Sequence, residues 1–182
     1  MIETLISSKT RIKLLLKFFL NSNTTAYLRV LESEFGESSN SIRLELNKFE
    51  GAGMLTSFLK GNRKYFTANT EHPLFNEVHS IVMKYVGLDR IVENVIEKLG
   101  NVERVYLVGD FSNGQNSQII DLIFVGDIDK VYLLKLVDKA EQFINRKVRY
   151  LIYSQSEAST IDWSTYQTKP LLLWSRDITA TP

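Results

Sequence analysis

The chain has 182 residues, of which 44% are hydrophobic and 24% charged, so it can bury one ordinary core or two small ones. It contains no cysteine, which excludes disulfides and thiolate zinc sites, and its two histidines, His72 and His79, are too few for a metal site. The longest apolar run in the first half, residues 14–20, is far shorter than the roughly 20 residues of a bilayer span. We therefore expect a cytoplasmic protein with no membrane association, metal or cofactor.

Charge is distributed unevenly along the chain. Residues 1–70 carry 10 Lys or Arg against 6 Asp or Glu, a net charge of +4, whereas residues 71–182 carry a net charge of −3. A basic half joined to an acidic half is expected when one half contacts a polyanion. The first 70 residues are therefore the candidates for binding nucleic acid.

Apolar spacing in the first 70 residues predicts three short helices followed by a β-hairpin. A tight hairpin turn needs residues such as glycine and asparagine, and a helix often ends on a left-handed glycine. This order of elements predicts a winged helix-turn-helix. The elements are a helix over residues 8–20, a helix capped by Thr24 or Thr25 and ended by Gly36, a helix over residues 39–51, and a hairpin that turns at Gly61 and Asn62.

The third helix and the hairpin carry the side chains that could contact double-stranded DNA. A recognition helix presents short polar and cationic side chains to base edges, and cations on a hairpin suit the DNA backbone. The alternative is an ordinary solvated face. The candidate residues are Ser39, Asn40, Arg43, Asn47 and Lys48 on the helix and Lys60, Arg63 and Lys64 at the hairpin.

Two further helices, over residues 72–86 and 88–99, are predicted to connect the DNA-binding domain to the rest of the chain. Pro73 lies where the first turn of a helix tolerates proline. The apolar stripe of the first of these helices fits either a dimer seam or an ordinary core. Because winged-helix regulators commonly dimerise, we favour a homodimer.

From residue 102 the pattern changes to that of buried strands. Near-continuous apolar runs predict strands at residues 105–108, 119–125 and 148–153 that are buried on both faces. A helix over residues 129–145 separates the last two. The apolar segment Leu171–Trp174 is either a fourth strand or a docked extension.

Two resemblances follow from these segments. Residues 8–75 resemble the ArsR-type winged-helix domain of small bacterial regulators, through Leu16-Lys-Phe-Phe-Leu-Asn21, Glu34-Phe-Gly-Glu-Ser38, Ile42-Arg-Leu-Glu-Leu-Asn47 and Gly61-Asn-Arg-Lys-Tyr-Phe66. Residues 102–153 resemble a minimal nucleotidyltransferase domain, through the Gly109 turn and Asp121-Leu-Ile-Phe-Val-Gly126. The implied fold is α+β, with a winged helix-turn-helix at residues 1–70, a helical connector at 71–100, and an α/β nucleotidyltransferase-like domain with a small mixed sheet at 101–182.

The second resemblance implies an active site that lacks most of its carboxylates. Active members place Gly-Ser at the first turn, two aspartates one residue apart on the next strand and a third carboxylate on a later strand, because carboxylate oxygens hold the two Mg²⁺ ions. Here Gly109 matches, Asp110 replaces the serine, Ile119 replaces the first aspartate and Asp121 matches the second. We therefore predict a catalytically inactive domain, in which Asp110 is the residue that could stand in for the lost ligand.

A ligand pocket could still remain at Gly109, Asp110, Ser112, Asn113 and Asp121, whose small polar groups suit a phosphate or a nucleotide. The alternative is a flexible surface loop. Taken together, the sequence predicts a dimeric transcriptional regulator whose C-terminal domain responds to a small-molecule or protein effector. The competing hypotheses are a working nucleotidyltransferase and an antitoxin-like interaction module.

Overall fold

The computed structural model describes residues 4, 6–166 and 168–176. The chain divides into two compact units. The N-terminal unit extends to Tyr85 and includes Gly114–Asn116, and the C-terminal unit contains the remaining residues. None of the helices in the described part of the chain is long and apolar enough to cross a membrane.

Between Lys9 and Gly51 the N-terminal unit contains helices α1 (Lys9–Leu15), α2 (Leu28–Phe35) and α3 (Ser39–Gly51). Helix α1 continues as a π-helical turn, Leu16–Leu20, so the predicted helix over residues 8–20 is present but changes its winding halfway. The α3 N-terminus is capped by the Ser38 side chain, which accepts a hydrogen bond from the Ser41 N–H at 3.2 Å. Gly36 ends α2 in the left-handed conformation, as predicted.

A three-stranded antiparallel sheet accompanies these helices, in the order β1 (Ala26–Tyr27), β3 (Arg63–Ala68), β2 (Leu55–Lys60). Lys60 pairs with Arg63, so the hairpin turns at Gly61 and Asn62 as predicted. The prediction that Thr24 or Thr25 caps α2 was wrong. The Thr24 carbonyl instead accepts a hydrogen bond from the Thr67 hydroxyl at 3.1 Å, because the chain enters β1 and pairs with β3 before α2 begins.

The core of the N-terminal unit is formed by apolar side chains from all three helices, among them Leu14, Phe18, Leu31, Ile42 and Leu46. Burying a side chain of this size stabilises a fold by roughly 1.5–3 kcal/mol. Helix α4 (Phe75–Val86) follows the sheet and begins two residues after Pro73. The His79 Nδ1 atom lies 2.6 Å from the Phe19 carbonyl oxygen, which ties α4 to the π-helical turn.

The C-terminal unit begins with helix α5 (Leu88–Leu99), whose middle turn, Val92–Ile96, is π-helical. A four-stranded sheet follows, in the order β6 (Lys147–Tyr153), β5 (Ile119–Gly126), β4 (Val102–Val108), β7 (Leu171–Ser175). Strand β5 is parallel to β6, and the other neighbours are antiparallel. The segment Leu171–Trp174 therefore forms the fourth strand of a small mixed sheet.

Helices α6 (Lys130–Ile144) and α7 (Gln155–Thr160) complete this unit. Asp129 caps α6, because its side chain accepts hydrogen bonds from the Val131 and Tyr132 N–H groups at 2.9 and 3.0 Å. Strand β5 is buried along most of its length, as predicted for a central strand. Strand β6 is not buried on both faces as predicted, because it lies at the edge of the sheet and leaves Leu151 exposed.

Candidate nucleic-acid interface and carboxylate cavity

A cationic groove of about 490 Å³ lies in the N-terminal unit, where α3 and the hairpin each contribute lining residues. We call it the interface groove. Four cations face it against one carboxylate, that of Glu32, so its charge favours an anionic partner. The lining residues are Tyr27, Leu28, Arg29, Glu32, Arg43, Leu46, Asn47, Asn62, Arg63, Lys64 and Phe66.

Helix α3 presents Arg43 and Asn47 at the groove because its opposite face is packed into the core. Ile42 and Leu46 are almost completely buried, and residues three or four apart share a face of a helix. Arg43 and Asn47 are therefore exposed on neighbouring turns of one face. Arg43 forms no ion pair with any of the described residues, so its charge is available to a ligand.

The hairpin holds its cations through aromatic contacts. The Arg63 guanidinium lies 4.7 Å from the centre of the Tyr27 ring, and Lys64 Nζ lies 5.1 Å from the centre of the Phe66 ring. Lys64 Nζ also lies 2.7 Å from Glu50 Oε2, and this hydrogen bond lowers the pKa of the Glu50 carboxyl below its ordinary value. Arg63 is thus oriented toward the groove, whereas the charge of Lys64 is partly neutralised.

Only some of the predicted DNA-binding residues line the interface groove. Arg43, Asn47, Arg63 and Lys64 line the interface groove, and the remaining four do not. The Ser39 hydroxyl donates to Glu32 Oε1 at 2.6 Å, and Lys48 is paired with Glu45 at 3.3 Å. Asn40 and Lys60 are exposed outside the groove.

Arg29 and Tyr27 also line the groove but were not predicted. Their position depends on strand β1, in which Tyr27 pairs with Tyr65 of β3. A two-residue strand leaves no periodic pattern in the sequence, so the signal that could have identified these residues was too short to detect.

The second cavity, of about 510 Å³, lies in the C-terminal unit and is named here the carboxylate cavity. Asp110 and Asp121 both line it, although they belong to different elements of the chain. The complete lining is Val108, Gly109, Asp110, Asp121, Leu122, Ile123, Arg149, Tyr150, Leu151, Tyr166 and Thr168.

Arg149 binds Asp121 with two hydrogen bonds. Its Nε lies 2.6 Å from Oδ1 and its Nη2 lies 2.9 Å from Oδ2, the bidentate geometry that suits a guanidinium and a carboxylate. The two residues face each other because they pair in the parallel β5–β6 ladder. The hydrogen bonds to Asp121 raise the pKa of Arg149, whose side chain is 67% exposed.

Gly109 is required by its surroundings. Its φ is +69°, and a Cβ atom at this position would lie 2.6 Å from Asp121 Oδ2. Its N–H donates to the Thr168 hydroxyl at 3.0 Å, which joins the turn to the segment before β7. Only glycine allows the backbone to pass this close to the carboxylate.

Two of the five predicted pocket residues lie outside this cavity. Ser112 is buried, and its hydroxyl donates to the Gly109 carbonyl at 2.8 Å, while Asn113 is exposed. The sequence analysis missed Arg149 and Tyr166. Burial and a hydrogen bond with Tyr153 raise the pKa of Tyr166 to about 12, so its hydroxyl remains protonated at neutral pH.

The number of carboxylates in this cavity limits the metal ions that it could bind. No cluster of three or more His, Asp or Glu side chains suited to a metal occurs among the residues that the structure describes. A Mg²⁺ ion that shares its coordination with substrate phosphates needs only one or two carboxylates. Two carboxylates, Asp110 and Asp121, are therefore enough in number for one such ion and too few for a two-metal centre, and Arg149 already engages Asp121.

Comparison with known proteins gives distant structural likenesses. No protein-family model matches the chain, and no curated protein sequence matches it. One similar structure is from Sulfolobus solfataricus and is assigned as a nucleotidyltransferase. Its sequence is 23% identical, the match covers 55% of this chain and 87% of the Sulfolobus chain, and the TM-score is 0.37. AF1382 from Archaeoglobus fulgidus is 19% identical, with coverages of 52% and 99% and a TM-score of 0.38. A structure of a tri-AMPylated Shewanella oneidensis HEPN toxin with an MNT antitoxin is 18% identical, with coverages of 53% and 76% and a TM-score of 0.37.

These likenesses correct one prediction. We predicted from the missing carboxylates that the chain is not an enzyme, whereas the matches include an assigned nucleotidyltransferase and a complex with an AMPylated toxin. The prediction that the chain is not an enzyme is thus contradicted by the matches, and the structure places Asp110, the residue that could stand in for the lost ligand, along the same cavity as Asp121. The names of two of the three matches agree with the nucleotidyltransferase-like part of the resemblance, and none of the three is described as an ArsR-type regulator. Every TM-score is below 0.5.

Proposed function

We propose that the N-terminal unit is a winged helix-turn-helix that binds double-stranded DNA and that the protein is a transcriptional regulator. The observation that carries this proposal is the interface groove, in which Arg29, Arg43, Arg63 and Lys64 converge from three different elements. A groove with this charge, beside an exposed polar helix, suits the phosphate backbone and the base edges of a duplex.

In this proposal α3 enters the major groove and the hairpin follows the adjacent backbone. Arg43 and Asn47 point from α3 in the direction of the bases, where arginine recognises guanine and asparagine recognises adenine through paired hydrogen bonds. Arg63 meets a phosphate and is kept in place by the Tyr27 ring. Glu32 also lines the groove, and its carboxylate disfavours a phosphate at its own position.

We propose further that α4 pairs with α4 of a second copy of the chain. Leu74, just before α4, and Val78, Ile81 and Tyr85 within it follow a spacing of four, three and four residues, which is the pattern of a helix–helix seam. Leu74 is 55% exposed and Ile81 is 50% exposed, a high fraction for apolar residues on one stripe. A homodimer would cover this stripe and place two copies of α3 on successive half-sites.

The DNA-binding proposal is tested by fluorescence anisotropy with a labelled duplex from the region upstream of the gene. Replacing Arg43 and Arg63 together by alanine should weaken binding at least tenfold, because the two best-oriented cations are lost. Arg90→Ala is the matched control, since Arg90 is an exposed cation in the C-terminal unit. Equal affinity of the double variant and the wild type would contradict the proposal.

A second candidate function is nucleotidyl transfer at the carboxylate cavity. The observation that favours it is the placement of Asp110, Asp121 and Arg149 around one cavity, since carboxylates can hold Mg²⁺ and a guanidinium can bind a phosphate. A bound Mg²⁺ would offset part of the negative charge of a triphosphate, and Thr168 lines the same cavity.

Incubation of the protein with Mg²⁺ and ATP labelled at the α-phosphate tests this second function, because nucleotidyl transfer moves the α-phosphate as AMP and releases pyrophosphate. Label transfer to the protein or to a partner protein should be lost in Asp110→Ala and Asp121→Ala and retained in Asp127→Ala, an exposed aspartate outside the cavity. Transfer that survives both cavity substitutions would contradict the assignment of this site.

A further inference from the structure

Leu44 is an exposed leucine on the proposed recognition helix. Its side chain is 53% exposed, whereas Ile42 and Leu46 on the same helix are buried. It lines neither the interface groove nor the more apolar groove of about 370 Å³ that α3 shares with α4. Packing inside the N-terminal unit therefore does not account for a leucine at this position.

The surroundings of Leu44 are polar and are set by helix geometry. Asn40 and Lys48 lie one turn away on either side, and Asn47 lies three residues away. Arg43 is adjacent in the sequence and is also exposed. Leu44 is thus an apolar residue within a surface whose other exposed members are amides and cations.

Base edges in the major groove offer four kinds of group, and only one of them is apolar. Guanine and adenine present hydrogen-bonding groups that suit arginine and asparagine, cytosine presents an amino group, and thymine presents a C5-methyl group. Arg43, Asn40 and Asn47 can read the first two. An apolar side chain among them suits the methyl group of thymine.

We infer that Leu44 contacts the C5-methyl group of a thymine and thereby selects a T·A pair at one position of each half-site. This inference rests on the proposed DNA binding by α3 and adds a residue that determines sequence specificity. Scattered exposed leucines are common on protein surfaces. Leu44 differs from them because it lies on the face that carries the proposed base-reading side chains.

The experiment removes one methyl group from the DNA and one apolar side chain from the protein. Binding duplexes are first selected from a random pool with the full-length wild-type protein, and each thymine is then replaced in turn by uracil, which lacks the C5-methyl group. One such replacement should weaken wild-type binding about fourfold, the factor that corresponds to one buried methyl group. The same replacement should leave the affinity of Leu44→Ala unchanged.

Leu134→Ala is the matched control, because Leu134 is a leucine of similar exposure, 52%, on α6 of the C-terminal unit. It should keep the fourfold uracil effect. Wild-type binding that is insensitive to every uracil replacement, or a uracil effect that persists in Leu44→Ala, would overturn the inference while leaving the DNA-binding proposal intact. Failure of the wild type to bind or select any duplex would overturn both.

Discussion

Single residues determine how much positive charge the interface groove can offer to DNA. Arg43 and Arg63 are free of carboxylate partners among the described residues, whereas Lys64 is held by Glu50 at 2.7 Å. A carboxylate this close competes with a phosphate for the same ammonium group. Glu50 is therefore the residue that limits the contribution of Lys64.

Glu50→Gln should strengthen DNA binding by about two- to fivefold, because the ion pair is removed and Lys64 becomes available to a phosphate. Anisotropy titrations of the variant and of Glu93→Gln, which alters an exposed pair in the C-terminal unit, measure the difference. Unchanged or weaker binding by Glu50→Gln would argue against a DNA contact at Lys64.

Glu50→Gln should also change how the stability of the protein depends on pH. The hydrogen bond from Lys64 lowers the pKa of Glu50 in the folded state, so its stabilising contribution is complete above the ordinary carboxyl pKa of about 4.5 and is lost as the pH falls through the lowered value. Glu50→Gln should therefore lose less stability between neutral and acidic pH than the wild type. Chemical unfolding at several pH values measures this, and parallel curves for the two proteins would contradict the assigned pair.

Gly109 sets the shape of the carboxylate cavity. Gly109→Ala should destabilise the C-terminal unit by roughly 2–4 kcal/mol, because it combines a positive φ with a Cβ placed 2.6 Å from Asp121 Oδ2. Gly36→Ala should cost only roughly 1 kcal/mol, since Gly36 has a left-handed φ of +60° and a Cβ atom added there would have nothing within 4 Å. Urea unfolding distinguishes the two, and equal losses would show that the close contact is unimportant.

At the scale of elements, the long periodic segments were predictable and the short ones were not. The spacing in α3, the Gly61-Asn62 turn and the cap of α6 at Asp129 depend on neighbouring residues, which the sequence displays directly. Strand β1 and the edge position of β6 depend on pairing with distant segments, and no local pattern records such pairing. For this reason the predicted DNA-binding face omitted Arg29, and the predicted pocket omitted Arg149.

The proposed homodimer through α4 can be tested by exchanging charges beside its apolar stripe. Two copies packed antiparallel about a centre between Val78 and Ile81 would bring Glu77 of one copy near Lys84 of the other. Glu77→Lys should therefore weaken the dimer, and Glu77→Lys combined with Lys84→Glu should restore it. Sedimentation equilibrium measures both, and a double variant as monomeric as the single one would contradict this seam.

At the scale of the whole molecule, the two units carry different candidate functions. The first 70 residues have a net charge of +4 and contain the interface groove, whereas the remaining residues have a net charge of −3 and contain the carboxylate cavity. DNA binding and nucleotidyl transfer can therefore be tested separately in the same full-length protein. Loss of one activity through substitutions in its own unit should leave the other measurable.

The central claim is that the N-terminal unit binds DNA through the cations of the interface groove. The salt dependence of duplex binding tests this claim most directly. The logarithm of the binding constant should fall linearly with the logarithm of salt concentration, because each phosphate contact releases counterions. The slope should become shallower by roughly one unit in Arg63→Ala, which removes a phosphate contact, and in the double variant, whereas Arg43→Ala removes a contact to a base and should leave the slope nearly unchanged. Duplex binding with the same slope in the wild type and in the double variant, or no duplex binding at low salt, would contradict the claim.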